Sequence, residues 1–292
     1  MLSYAIITPA RNEEQHIRLT LESMVRQSRP PGRWVVVSDG STDRTDEIVG
    51  EYAGRTDWIE FVRLPAERDR TFAAKVHAFN AGLQRIQDLS FDIVGNLDAD
   101  ISFEEDYFEF LLQRFAENPR LGVAGTPFVE DGARYDYRFT NIEHVSGACQ
   151  LFRRECFEQI GGYVPIEGGG IDWTAVTTAR MKGWQTRTFV DKTCTHHRPM
   201  GTGSSKGQVR ALFRHGQKDY ALGGHPVWQL FRGAYQMTRR PFVIGGSALL
   251  AGYFCALAAG RERPISSELV RFNRSEQKAR LRAALFRSGE RN

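Results

Sequence analysis

Residues whose types and spacing could do chemistry fall in a few places along this 292-residue chain. The sharpest is Asp98-Ala99-Asp100, two carboxylates at i and i+2, directly after the apolar run Phe91 to Leu97. Carboxylates that close repel each other unless a cation sits between them and something anionic. Hard oxygen ligands, few in number, suit Mg2+ or Mn2+ completed by water and substrate phosphates. A solvated Asp-rich turn is the plain alternative. Further along, His196-His197-Arg198 could supply a neutral imidazole as a third metal ligand. Adjacent histidines on an extended segment point opposite ways, so at most one reaches the metal, and His197 is the one expected. Asp172 follows the run Gly168-Gly169-Gly170, where glycines let the backbone approach a ligand or flex. Its plain role is to cap the helix that starts there.

These groups need elements to hold them. Tyr4 to Pro9 reads as a strand, with Asn12 and Gln15 forming a box-like cap for a helix through Ile17, Leu21, Met24 and Val25. Trp34 to Val37 is a second strand, opening into Ser38-Asp39-Gly40-Ser41-Thr42-Asp43. That cluster is turn chemistry ahead of another helix, with Asp43 better placed than Asp39 to cap it. Ile59 to Leu64 is a third strand, Phe72 to about Leu89 a helix, and Phe91 to Leu97 the strand that delivers the acid pair. The order βαβαβαβ with short loops predicts a doubly wound α/β half. Acids leaving the carboxyl edge of such a sheet stand where open α/β sheets bind ligands. Downstream, the pattern predicts a helix over 103–118, strands over 122–128, 147–154 and 185–190, and a mobile loop over 129–145.

The N-terminal hundred residues resemble the nucleotide-binding half of a family 2 glycosyltransferase with the GT-A fold. The matching pieces are Thr8-Pro9-Ala10-Arg11-Asn12-Glu13, Ser38-Asp39-Gly40-Ser41-Thr42-Asp43, the stretch Lys75 to Asn80 with Gly82, and Asp98-Ala99-Asp100, in the family's order and spacing. The resemblance implies an α/β GT-A fold with a Rossmann-like mixed sheet. It also implies that Thr8, Pro9, Ala10, Arg11 and Asn12 line a nucleotide pocket, with Asp39 on the base or ribose and Asp98 beside the donor. An Asp at a strand's carboxyl end can accept the paired donors of a base or a sugar diol. Lys75, near a helix start, would face the donor's diphosphate. Arg68 and Arg70 are weaker candidates for that task, and Arg198 with the Gly201 to Lys206 loop could close over it. A divalent cation, Mn2+ or Mg2+, would sit on Asp98 and Asp100. In the family an acidic pair precedes a helix where Ile171-Asp172 stands here, and the second acid is the catalytic base. Asp172 is therefore the expected base, without a first acid to orient it. The implied reaction is inverting transfer of a sugar from a nucleotide-diphosphate donor to a hydroxyl of a saccharide or lipid-linked acceptor, as in polysaccharide biosynthesis.

Two other functions remain open on the sequence. A sugar-phosphate nucleotidyltransferase also uses carboxylates and Mg2+ on an α/β sheet, but no glycine-rich, arginine-bearing loop follows the first strand. A non-catalytic, membrane-attached nucleotide-sugar binder is motivated by Ile171.

The net charge of +4 is unevenly placed: residues 261–292 carry nine Lys and Arg against four Glu. Four scattered cysteines have neither disulfide nor metal spacing, as in a reducing compartment. The start of the chain offers no signal-peptide pattern. Residues 242–260 are uncharged and largely apolar, about the minimum for a membrane span. Arginines at both ends favour an interfacial or re-entrant element instead. Residues 268–287 are expected to form a basic amphipathic helix suited to anionic headgroups. The expected organisation is a GT-A domain over residues 1–230 and a membrane-associating helical tail over 231–292, in a cytoplasmic protein at the inner face of the cell membrane. A nucleic-acid partner is not expected.

Overall fold

The computed structural model describes residues 1–65, 72–130, 133–134, 141–198 and 205–289. The element order is β1 (Tyr4–Ala10), α1 (Ile17–Val25), β2 (Arg33–Asp39), α2 (Thr45–Ala53), β3 (Ile59–Leu64), α3 (Phe72–Ile86), β4 (Ile93–Leu97) and β5 (Ile101–Ser102). Next come α4 (Tyr107–Glu117), β6 (Leu121–Gly125), β7 (Phe128–Glu130), β8 (Ala133–Arg134), β9 (Cys149–Arg153), α5 (Arg154–Gln159), α6 (Ile171–Met181), β10 (Gln185–Thr188) and β11 (Cys194–His196). Four helices close the chain: α7 (Ser205–Ala221), α8 (Pro226–Met237), α9 (Ile244–Ala258) and α10 (Ser267–Gly289).

The chain divides into two compact units. The first, residues 1–167 and 171–199, holds a seven-stranded sheet in the order β10-β6-β9-β4-β1-β2-β3. Its strands run parallel except β9, which is antiparallel to both β4 and β6. A smaller sheet, β5-β11-β7-β8, lies in the same unit. The near-continuous apolar strands predicted this arrangement, because a parallel sheet is covered on both faces. Ile93, Val94 and Leu97 of β4 are at most 1% exposed, and Tyr107, Phe108, Leu111, Leu112 and Phe115 of α4 are buried on one helical face. Each such side chain contributes about 1.5–3 kcal/mol by leaving water.

Three sequence expectations change here. The first helix starts at Ile17 without a side-chain cap, and Asn12 does other work, described below. The expected single strand over 122–128 is two, β6 and β7, in different sheets. Of the expected mobile loop, residues 141–145 are held by hydrogen bonds from β10 and α6, while 131–132 and 135–140 lie outside the described residues.

The second unit, residues 168–170 and 200–292, starts some thirty residues before the expected boundary at 230, because α7 and α8 belong with α9 and α10. The apolar stretch 242–260 forms α9, which packs along α7 and α8. Among the described residues, no helix is long and apolar enough to cross a membrane. Its small residues serve packing. A Cβ built at Gly252 would overlap the carbonyl oxygen of Phe213, and one at Gly216 would overlap that of Leu249, so α7 and α9 meet backbone to backbone. Gly252→Ala should therefore cost about 1–3 kcal/mol, the usual penalty of overpacking, read as a lower urea midpoint. An unchanged midpoint would show that the crossing can open freely. The basic helix α10 docks by its first turns: Leu269 and Val270 are buried, Asn273 Nδ2 donates to the Leu222 carbonyl (2.9 Å), and the His225 N–H donates to Gln277 Oε1 (2.7 Å).

Candidate active site

Strands β1, β2 and β4 are parallel neighbours, so their carboxyl ends bring Pro9, Asp39 and Asp98 to one edge of the sheet. A cavity of about 580 Å3 opens there. Its lining includes Pro9, Ala10, Arg11, Asp39, Lys75, Asp98 and Asp100, all expected from the sequence. It also includes Glu13, Glu167 and Arg198. Thr8 and Asn12 do not line it. Thr8 is fully buried, and its Oγ1 accepts from the Trp34 indole (2.9 Å), so it anchors β1 to β2. Asn12, at φ 55, clasps the β2 turn: its Oδ1 accepts from the Thr42 N–H (2.8 Å) and its own N–H donates to Ser41 Oγ (3.2 Å). Both positions shape the pocket wall from behind.

Asp43 does take the capping work. Its carboxylate accepts from the Thr45 N–H (3.0 Å) and hydroxyl (2.6 Å) and from the Glu14 N–H (3.0 Å). Partial burial works to raise its pKa, but those hydrogen bonds win and hold it low. Asp39 is thus left for the cavity, with Arg11 Nη1 3.4 Å from its Oδ2.

The acid pair sits on a turn pinned at each residue. The Asp98 N–H donates to the Ala148 carbonyl (2.8 Å), Thr20 Oγ1 to the Ala99 carbonyl (2.9 Å), and the His197 N–H to the Asp100 carbonyl (2.9 Å). Lys75 reaches Asp98 as a direct ion pair. The reach depends on Gly82 of the same helix: a Cβ there would lie 2.6 Å from Ile7 Cγ2, so only glycine lets α3 lie this close to β1. Burial works against the Lys75 charge, yet the charge and hydrogen bond of Asp98, with Asp172 and Asp100 nearby, raise its pKa and keep it an ammonium. Arg198 pairs with Glu13 and brings its Nε within 3.7 Å of Asp100. The positions Arg68 and Arg70 and the loop 201–204 lie outside the described residues.

The histidine expectation is reversed. Pairing of β11 with β5 sets His196 opposite Ile101, and His196 Nε2 lies 3.6 Å from Asp100 Oδ2. His197 turns the other way, with its Nε2 2.8 Å from Ser102 Oγ. Partial burial and the nearby His16 lower its pKa. The alternation rule was sound, but the register of β11 decides which residue faces in, and that register is fixed by pairing with β5. The residues fit a cation held by two carboxylates and completed by water and phosphate oxygens. His196 adds a borderline nitrogen donor whose other ring nitrogen, Nδ1, is buried without a hydrogen bond. Among the described residues no cage of three ready protein ligands exists.

Asp172 sits in the first turn of α6 rather than ahead of it. A Cβ at Gly147 would lie 3.1 Å from Asp172 Cβ, and the Gly147 carbonyl accepts from Asn96 Nδ2 (2.7 Å), itself 3.4 Å from Asp98 Oδ1. A short chain of contacts thus links the acid of α6 to the acid pair. Sequence reasoning missed Asn96 and Gly147, whose only signal was a polar residue inside an apolar strand and a glycine before one.

The sequence profile of glycosyl transferase family 2 matches residues 5–161, more than half of the chain. The chain belongs to glycosyl transferase family 2. It is 31% identical over 170 residues to the poly-beta-1,6-N-acetyl-D-glucosamine synthase of Staphylococcus epidermidis, a match covering 51% of this chain and 39% of that one. The corresponding Staphylococcus aureus (strain COL) enzyme is 29% identical over 136 residues, covering 46% and 31%. The chain thus spans about two fifths or less of the length of these relatives. A mannosyltransferase of Pyrobaculum calidifontis, solved with GDP-mannose and Mn2+, superposes with a TM-score of 0.58 at 22% identity, over 89% of this chain and 75% of that one. Staphylococcus aureus TarS (residues 1–349) with UDP-GlcNAc gives 0.55 at 16% identity, over 73% and 66%. The fold is accordingly GT-A, carried by a family 2 glycosyltransferase domain.

Proposed function

We propose that this glycosyltransferase moves a sugar, with inversion, from a nucleoside-diphosphate sugar to a hydroxyl of a saccharide or lipid-linked acceptor. The observation that carries the proposal is the single cavity in which Asp39, Lys75, Asp98 and Asp100 meet. Asp39 would receive the base or ribose diol, since a strand-end carboxylate accepts paired donors. Asp98 and Asp100, with His196 alongside, would hold a divalent cation, Mn2+ or Mg2+, against the donor diphosphate. When bound, that cation neutralises charge growing on the leaving group. Lys75 and Arg198 supply fixed positive charge at the same place, where preorganised charge counts most.

Asp172 would take the proton of the acceptor hydroxyl as its oxygen bonds to the anomeric carbon. The bond from that carbon to the phosphate oxygen breaks, and its electron pair leaves with the nucleoside diphosphate. One displacement from the face opposite the leaving group inverts the anomeric centre. The staphylococcal relatives and the solved structures make UDP-GlcNAc and GDP-mannose the first donors to try. Product anomeric configuration by NMR tests the mechanism, and a retained configuration would refute it. Release of pyrophosphate instead of nucleoside diphosphate would revive the nucleotidyltransferase reading.

A membrane surface is the proposed setting. Val227, Leu230, Phe231 and Tyr235 line one face of α8 at helical spacing and are 40–53% exposed. Phe242, Val243 and Ile244 are about 60% exposed beside Arg239 and Arg240. A cluster of exposed apolar side chains next to arginines suits an anionic bilayer interface. Leu230→Glu with Phe231→Glu should weaken co-sedimentation with phosphatidylglycerol vesicles at least about tenfold, given what burying one such side chain contributes. Undiminished sedimentation would place the contact elsewhere.

A further inference from the structure

Asp172 follows Ile171, so it stands without the first acid that the family resemblance places there, and the structure supplies a different neighbour. His144 Nε2 lies 4.0 Å from Asp172 Oδ2, and both side chains are about a third exposed, open enough to meet a substrate. Among the described residues it is the only ionic partner within that distance of the Asp172 carboxylate.

The histidine is held for the task. Its N–H donates to the Asn141 carbonyl (3.0 Å) and its carbonyl accepts from Thr188 Oγ1 (2.6 Å). The preceding carbonyl, of Glu143, accepts from Thr186 Oγ1 (2.6 Å) and Arg180 Nη1 (3.1 Å), and the following residue, Val145, is fully buried. Strand β10 and helix α6 therefore fix the backbone that carries the ring, and α6 carries Asp172 itself. Gly147, three residues beyond His144, packs against the same side chain: a Cβ there would lie 3.1 Å from Asp172 Cβ, so glycine lets the two segments approach.

We propose that His144 is the positioning residue of the base: its Nε2–H closes from 4.0 Å to a hydrogen bond on Asp172 Oδ2, leaving Oδ1 to take the acceptor proton. The proposal rests on Asp172 being the base. A carboxylate on a short side chain rotates about its last bond, and a single donor on one oxygen selects one orientation. Once that bond has closed, the histidine keeps Oδ2 engaged as the proton arrives at Oδ1, so no further reorganisation is needed at the moment of transfer.

Two measurements separate this inference from the reading beneath it. The first needs no substrate. In 15N-histidine-labelled protein, the His144 ring resonances, identified by their loss in His144→Gln, should change in Asp172→Asn, with the proton no longer fixed on Nε2. An identical His144 signature in both proteins overturns the inference. The second is kinetic, with nucleoside diphosphate release from the preferred donor as readout. His144→Ala should lower kcat about tenfold to a hundredfold, the effect of a misplaced reacting group. The donor KM should stay unchanged. His144→Gln, which keeps an N–H donor, should recover to within about threefold of the parent, and His144→Ala should add nothing once Asp172 is Asn. If His144→Ala stays within about twofold while Asp172→Asn is crippled, the inference fails and the base stands. If Asp172→Asn is itself active, the base reading fails, whatever the ring resonances show.

Discussion

Asp172→Asn should lower the rate of sugar transfer by about a hundredfold to ten-thousandfold, the range a positioned general base contributes. Affinity for the donor nucleotide should hardly move, since Asp172 is not among the residues lining the cavity proposed to hold it. The replacement is nearly isosteric and its site, in the first turn of α6, is a third exposed, so the fold should keep its stability. The measurement is steady-state transfer beside calorimetric titration of the nucleoside diphosphate. A fall in both together would mean that Asp172 shapes the pocket rather than the chemistry. Retained transfer with lost affinity would reverse its role altogether.

Asp100→Ala is expected to have the second large effect, on binding. Nucleoside diphosphate should bind the parent protein more tightly with Mn2+ than without, and the variant should lose that difference. One or two carboxylates with phosphate oxygens are the usual protein share of such a site, so removing one of two leaves little to hold the ion. The variant also deprives His196 and Arg198 of the carboxylate each faces at 3.6 and 3.7 Å, so metal-free affinity may not be taken as constant and must be measured in the same titration. A parent protein whose nucleotide affinity ignores Mn2+ would leave Lys75 and Arg198 as the counter-charges of the diphosphate. The pairing of Lys75 with Asp98 makes that alternative concrete.

Much of this site was legible in the sequence because local rules reach it. Apolar runs ending in Pro9, Asp39 and Asp98 announce parallel strands, and parallel strands share a carboxyl edge. Asp43 was separable from Asp39 by its place one turn nearer the helix, and the cap it makes bears that out. What escaped depends on partners distant in sequence. Thr8 sits within the motif yet faces Trp34, because the strand's alternation turns it inward. His196 faces Asp100 and His197 does not, because β11 pairs with β5, some ninety residues earlier. His144 gave no signal at all, since only the hydrogen bonds from β10 and α6 make its segment a fixed structure. In the helical unit the sequence pattern of 242–260 matched a membrane element because helices that touch through glycine and lipid-embedded helices favour the same small and apolar residues.

The place of β1 between β2 and β4 has a consequence for how the protein is made. Strands β1, β2 and β3 pair with their neighbours in sequence, so the wall bearing Asp39 can assemble once residues 4–64 have been made. The acid pair must wait: β4 pairs with β1 on one side and with β9, from residue 149 onward, on the other. Asp172 follows later still. During synthesis the edge that carries Asp39 is therefore complete before the one that carries Asp98 and Asp100, and Asp172 is the last of the proposed site residues to arrive.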